Sequence, residues 1–217
     1  MILAVCGGKG GVGKTTTALN LAAELDAVLV DADLGMADVP ASHGPDLHDV
    51  LAGRADAVEA VRESRAISIL PCGRTLAGAR EGDPRQLVDA LHAVADAYDD
   101  VVVDCPAGLR ADVGLPLLVA DACVLVTTPD RAALADALRA RSLAVELDAG
   151  LAAVAYNRAS SASEEVANAL GAPVVAVPDD DSVAAAMDAG QPVAAIDEEA
   201  AAATGFGTLA ERVRETT

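Results

Sequence analysis

Lysine is almost missing from this chain. Of its 15 basic residues only Lys9 and Lys14 are lysine, and the other 13 are arginine. Aromatic residues are nearly as scarce: Tyr98, Tyr156 and Phe206 are the whole set, with no tryptophan. Single-stranded nucleic acids are held by stacking bases on aromatic rings, so that class of function lacks its platform. Positive charge is short overall, with 34 acidic residues giving a formal net charge of -19. Such a surface opposes a phosphate backbone, and DNA binding is not expected. No uncharged apolar run reaches 18 residues, so no membrane-spanning helix is predicted. The opening MILAVCGG has neither the basic start nor the long apolar stretch of a signal peptide. A C-x-x-C pair is also missing. Cys6, Cys72, Cys105 and Cys123 are scattered, and Cys6, Cys105 and Cys123 fall in apolar strand-like runs. They read as buried thiols in a reducing cytoplasm rather than as disulfides or metal ligands. His43, His48 and His92 have no metal-ligand spacing and read as surface or packing residues.

What is present is apolar and small. The 217 residues are 53% hydrophobic, including 50 alanines, which excludes a disordered chain and suits one core and a single domain over 1–217. Abundant acid with almost no lysine resembles the composition of proteins from extreme halophiles; a high-GC genome with a merely acidic protein is the alternative. In molar salt the Debye length falls to about 3 Å, and an acidic surface then repels itself little.

Apolar strand runs alternate with helical patterns. Strands are predicted at Ile2–Cys6, Ala27–Val30, Ala66–Leu70, Val101–Val103, Ala122–Val126, Leu151–Ala155 and Val174–Val177. Between them, helices are predicted at Lys14–Leu25, Asp46–Leu51, Asp56–Val61 and Pro84–Tyr98, with Pro84 as a first helical residue, and alanine-rich helices close the chain. The alternation predicts an α/β fold: a mostly parallel β-sheet of about seven or eight strands with helices on both faces.

Gly8-Lys9-Gly10-Gly11-Val12-Gly13-Lys14-Thr15 fits the phosphate-binding pattern G-x-x-x-x-G-K-[ST]. Glycines allow consecutive backbone N–H groups to turn inward into an anion-binding nest, and the following helix offers its positive end. In such loops the lysine, here Lys14, bridges the β- and γ-phosphates, and the hydroxyl, here Thr15, ligates Mg²⁺. Both lysines of the chain lie in this one segment.

Lys9 follows the loop's first glycine, and Lys9-Gly10-Gly11-Val12-Gly13-Lys14-Thr15-Thr16 resembles the deviant Walker A motif of the MinD/ParA ATPases. The likeness continues in order along the chain. Val30–Gly35 resembles that family's first switch, and Val103–Gly108 resembles its Walker B strand and second switch. Leu70–Gly73 with Leu76–Gly78 resembles archaeal, including haloarchaeal, MinD-like proteins; Val126–Asp130, Tyr156–Arg158 and Val177–Asp180 resemble later segments. The resemblance implies a SIMIBI-like P-loop NTPase fold and a site for ATP and Mg²⁺. It implies that Gly8 to Thr16 cradle the phosphates and that Lys9 reaches the partner's phosphates in an ATP-bound homodimer. Asp33 matches the catalytic aspartate, Asp31 a position near Mg²⁺, and Asp104 the Walker B acid. Metal contacts are therefore expected from Thr15, Asp33 and Asp104, and adenine contacts from Asn157, Arg158, Pro178 and Asp179.

The resemblance also implies slow ATP hydrolysis that resets a dimerising switch, and a stimulating or recruited protein partner whose position in the cell it sets. A division site, a chromosome or a motility or sensory array would be its task. An ATP-dependent amide ligase of the same superfamily, or a nucleotide sensor without hydrolysis, is the alternative. The last ten residues carry a thin apolar face (Leu209, Val213) with nearly balanced charge, unlike the basic amphipathic helices that bind membrane surfaces. A cytoplasmic location follows, with peripheral membrane attachment left unsupported.

Overall fold

β1 (Ile2–Cys6) is buried along its whole length and lies between two further strands, and the rest of the sheet follows from this. This computed structural model describes residues 1–34, 44–73, 81–108 and 111–216, with backbone alone for 111–113. The strands are β1, β2 (Val28–Asp31), β3 (Ser68–Leu70), β4 (Val101–Asp104), β5 (Ala122–Thr127), β6 (Gly150–Asn157) and β7 (Val174–Val177). They form one sheet of seven parallel strands in the order β3-β2-β4-β1-β5-β6-β7. A parallel sheet must be covered on both faces, which is why its inner strands are continuous Val, Leu and Ala runs.

The helices are α1 (Lys14–Glu24), α2 (Leu47–Leu51), α3 (Gln86–Tyr98), α4 (Ala111–Val119), α5 (Arg131–Glu146), α6 (Glu164–Leu170), α7 (Asp181–Ala189), α8 (Val193–Ile196) and α9 (Ala201–Thr216). β1 divides its side chains between the two layers. Ile2, Ala4 and Cys6 meet Leu87 and Leu91 of α3, Leu117 of α4 and the alanines of α5. Leu3 and Val5 meet Leu19 and Leu21 of α1 and Leu209 and Val213 of α9. α5 buries Ala133, Ala137, Ala140 and Ala144, a stripe at helical spacing whose small side chains let the helix lie close to the sheet. It also passes close to the glycine-rich loop, where a Cβ on Gly8 would collide with the Asp136 carbonyl.

α9 places Phe206, Leu209, Ala210 and Val213 inside the protein. Its apolar face therefore packs on the sheet and α1. Among the described residues no helix is long and apolar enough to cross a membrane. All four cysteines are buried and free.

Two expected helices differ. Asp56–Val61 forms turns in place of a helix. The Asp56 carboxylate accepts the Val58 N–H at 2.8 Å, and then Arg62 pairs with Ile69 through both backbone bonds, which draws the chain out straight. Pro84 precedes α3 rather than opening it. Pro84 and Arg85 form a turn held by the Asp83 carboxylate on the Arg85 N–H, and the helix begins at Gln86.

Candidate nucleotide site

Between the end of β1 and the start of α1 the chain turns through the glycine-rich loop, at the carboxyl edge of the sheet where strand order diverges to either side of β1. Ligands of open α/β sheets bind at such a crevice. Gly13 is the cap of α1 with φ +99°, and a Cβ there would lie 2.2 Å from Nδ2 of Asn157. Glycine is thus required twice at this position, by backbone and by space. α1 has no side-chain cap and no acid in its first turn. Its first N–H groups and positive dipole end therefore face the loop without a built-in anion. Lys14 is only 8% exposed, with its Cδ 3.5 Å from where a Cβ on Gly7 would sit.

Lys9 lies on the outer rim. Its Nζ is 3.3 Å from Oδ2 of Asp130, and the lysine side chain is 50% exposed. Asp130 caps α5 by accepting the Ala133 N–H at 3.2 Å. The Ala132 N–H, the Lys9 ammonium and the Ala133 N–H together hold its carboxyl below the usual carboxylate range.

The acidic residues gather on the other side of β1. Asp31 ends β2, Asp104 ends β4, and the two are register partners; Asp104 also lies opposite Val5 of β1. Both are buried, at 0% and 1% exposure. Carboxylates concentrated at one edge of a low-dielectric sheet favour a cation beside them. Asp33 is half-buried two residues past β2, its N–H bonded to Oδ1 of Asp31 at 3.3 Å. Gly35, the last residue of the first-switch segment, and Leu76–Gly78 lie outside the described residues, as does His43.

On the far side of the loop a cavity of about 350 Å³ is lined by Gly13, Thr16, Asn157, Arg158, Pro178 and Asp179 among others. All four residues expected near adenine line it, and so do Gly13 of the loop and Thr16 of α1. Asn157 is more than a wall. Its Nδ2 donates to the Val12 carbonyl at 2.8 Å, and its Oδ1 accepts the Arg158 N–H at 3.0 Å. The end of β6 is in this way tied directly to the phosphate-binding loop.

His92 is exposed on α3, but His48 of α2 is buried. It sits against Cys72, and both contact the backbone around Asp33. Burial, with the nearby charge of Asp31, pushes the Cys72 thiol well up, so it stays a protonated donor. Cys6 and Cys105 are pushed up as well, Cys6 chiefly by its hydrogen bond with Cys123 and Cys105 chiefly by burial. The Asp130 tether and the His48–Cys72 pair join segments far apart in sequence, and no motif announces either. Gly73 was the available signal for the pair, since a Cβ there would fall 2.0 Å from Nδ1 of His48.

A family model described as AAA domain matches residues 1–139. An uncharacterized ATP-binding protein of Methanocaldococcus jannaschii is 33% identical over 203 residues, covering 86% of this chain and 77% of that one. The crystal structure of the Pyrococcus furiosus cell division ATPase MinD superposes with a TM-score of 0.93 at 27% identity, covering 99% of this chain and 98% of the other. This chain belongs to the MinD/ParA family of P-loop ATPases. A second MinD, from Pyrococcus horikoshii and complexed with Mg-ADP, has a TM-score of 0.91 at 28% identity, with 97% of this chain and 94% of that one covered. The MinD/ParA architecture accounts for the seven-stranded sheet and for the place of the glycine-rich loop within it.

Proposed function

We propose that this chain is a molecular switch of the MinD/ParA type. It binds ATP with Mg²⁺, dimerises in that state, and hydrolyses ATP to ADP to reset. The observation that carries the reading is continuity. The buried carboxylates Asp31 and Asp104, the uncapped start of α1 with buried Lys14, and a cavity walled by Asn157, Arg158, Pro178 and Asp179 follow one another along the carboxyl edge of the sheet, around the end of β1. They offer acceptors for a cation, donors for phosphates and a pocket of purine size, in that order.

In this mechanism the backbone N–H groups of Gly8 to Thr16 hold the phosphate oxygens, and Lys14 lies along the β- and γ-phosphates. Thr15 and Asp104 would hold Mg²⁺, with Asp33 close by. Among the described residues no group of three or more His, Cys, Asp or Glu side chains could hold a metal ion unaided. That suits Mg²⁺, which keeps its waters and completes its shell with substrate phosphates. When bound, Mg²⁺ neutralises charge on the phosphates. Asp33 orients the attacking water and accepts its proton. Lys9, on the exposed rim, reaches the phosphates of the other subunit, where a positive charge stabilises the transition state.

The dimer recruits a protein partner and places it within the cell. The acidic surface disfavours DNA, and the described apolar face of α9 is already packed inside the protein. We read the location as cytoplasmic and the surface as suited to molar salt, where thermal stability rises with KCl.

Phosphate release from ATP-Mg²⁺ in molar KCl tests the reading. The wild type turns over slowly, while Asp33→Ala binds ATP and releases none. Equal turnover by Asp33→Ala, or none by the wild type with ATP bound, overturns it.

A further inference from the structure

Two buried side chains from outside the nucleotide site converge on the backbone of Asp33. Cys72, just past β3, donates its S–H to the Asp33 carbonyl at 3.2 Å. His48, on α2, has Nε2 3.1 Å from the Leu34 carbonyl and 3.6 Å from Sγ of Cys72. A carbonyl only accepts, so Nε2 carries the proton, and the sulfur shares that N–H as a weak acceptor. The two residues are 4% and 2% exposed. Buried polar side chains are normally hydrogen-bonded, most often to backbone or water. These two reach consecutive carbonyls of one separate segment.

That segment is held from its other side as well. The Asp33 N–H bonds Oδ1 of Asp31, the Leu34 N–H bonds the Ala32 carbonyl at 3.0 Å, and the Ala32 N–H bonds the Asp104 carbonyl at 3.1 Å. The seat of the pair is itself fixed. Leu47 at the start of α2 donates its N–H to the Pro71 carbonyl at 2.9 Å, and Asp46 and Asp49 close α2 with a reciprocal capping box. Gly73 leaves the space that the imidazole fills.

We propose that His48 and Cys72 are positioning residues for Asp33, gripping the carbonyls of Asp33 and Leu34 so that the Asp33 carboxylate leaves a fixed backbone. This rests on the catalytic reading of Asp33 given above. Neither side chain touches nucleotide; each acts on the rate through the placement of the carboxylate. A misplacement of about 1 Å in a reacting group costs on the order of a hundredfold in rate.

The test compares Cys72→Ala, Cys72→Ser, His48→Ala and His48→Gln with the wild type and Asp33→Ala, each checked for a cooperative melt. Serine keeps an O–H donor at the thiol position, and the glutamine amide reaches where Nε2 lies. The alanine variants lower kcat by about tenfold or more while KM for ATP stays within about twofold. Serine and glutamine recover most of that loss. In parallel, hydrogen exchange over Val30–Leu34 speeds up in the alanine variants and returns toward wild type in Cys72→Ser. Wild-type kcat in both alanine variants overturns the proposal, and so does equal loss in Cys72→Ala and Cys72→Ser, which would mean packing alone. Full turnover by Asp33→Ala overturns the catalytic reading instead; the exchange measurement then decides whether the grip exists, and unchanged exchange in Cys72→Ala overturns it.

Discussion

The ammonium of Lys9 lies 3.3 Å from the carboxylate of Asp130, across 121 residues of sequence, with both side chains about half exposed. An exposed ion pair is held weakly, because water screens it and two long side chains lose freedom in making it. Lys9 is therefore loosely held at the rim and easily released. We expect Lys9→Ala to bind ATP with affinity close to wild type and to lose turnover by about 10³-fold or more. Calorimetric titration beside a phosphate-release assay checks this. Wild-type turnover in Lys9→Ala would leave Lys9 without a role across the dimer.

Lys14 differs from Lys9 in burial, being only 8% exposed. A hydrogen bond from a charged donor contributes about 1.5–3 kcal/mol. Lys14→Ala should weaken ATP binding by about tenfold to a hundredfold or more, read by titration with a fluorescent ATP analogue. Unchanged affinity would contradict the phosphate-binding assignment.

Asn157 fixes the loop through the Val12 carbonyl, and Gly13 leaves room for it. Asn157→Ala removes a neutral hydrogen bond of about 0.5–1.5 kcal/mol, so ATP affinity falls by up to about tenfold. Gly13→Ala is harsher, because it forces a side chain onto a backbone at φ +99° and onto the Asn157 amide. It adds strain of about 1–3 kcal/mol and lowers the melting temperature as well as affinity. A Gly13→Ala protein as stable and as tight-binding as wild type would contradict this geometry.

Asp180 caps α7 by accepting the N–H and hydroxyl of Ser182 at 3.0 and 2.6 Å. The hydroxyl first, then the N–H, hold its carboxyl below the usual range. The folded-state value is depressed, so its contribution to stability is complete above the ordinary carboxylate value and is lost as pH falls through the depressed one. Asparagine caps without titrating. From about pH 6 down to about pH 3, the wild type should lose melting temperature more steeply than Asp180→Asn. Parallel curves would contradict the assignment.

Much of this was legible in the sequence. β1 and β7 were readable to the residue, because apolar β-branched runs between glycines and helices have few other solutions. The loop was readable because its residue types are dictated by phosphate chemistry, and the strand-end acids Asp31 and Asp104 because a carboxylate closing an apolar run is conspicuous. Asp56–Val61 was misread, since the pull of the Arg62–Ile69 pairing comes from a neighbouring segment and leaves no local mark. The Lys9–Asp130 pair and the grip of His48 and Cys72 on Asp33 depend on segments that only the sheet order brings together. Asn157 lines the cavity, and its bond to Val12 leaves no local mark in the sequence, because it depends on β6 being set beside the loop.

Light scattering coupled to size-exclusion chromatography in molar KCl reads out a nucleotide-dependent change of state. The wild type and Asp33→Ala are compared in ADP-Mg²⁺ and in ATP-Mg²⁺. Both should be monomers in ADP, and Asp33→Ala should be a stable dimer in ATP. A monomer of Asp33→Ala with ATP bound at saturation would contradict the switch reading.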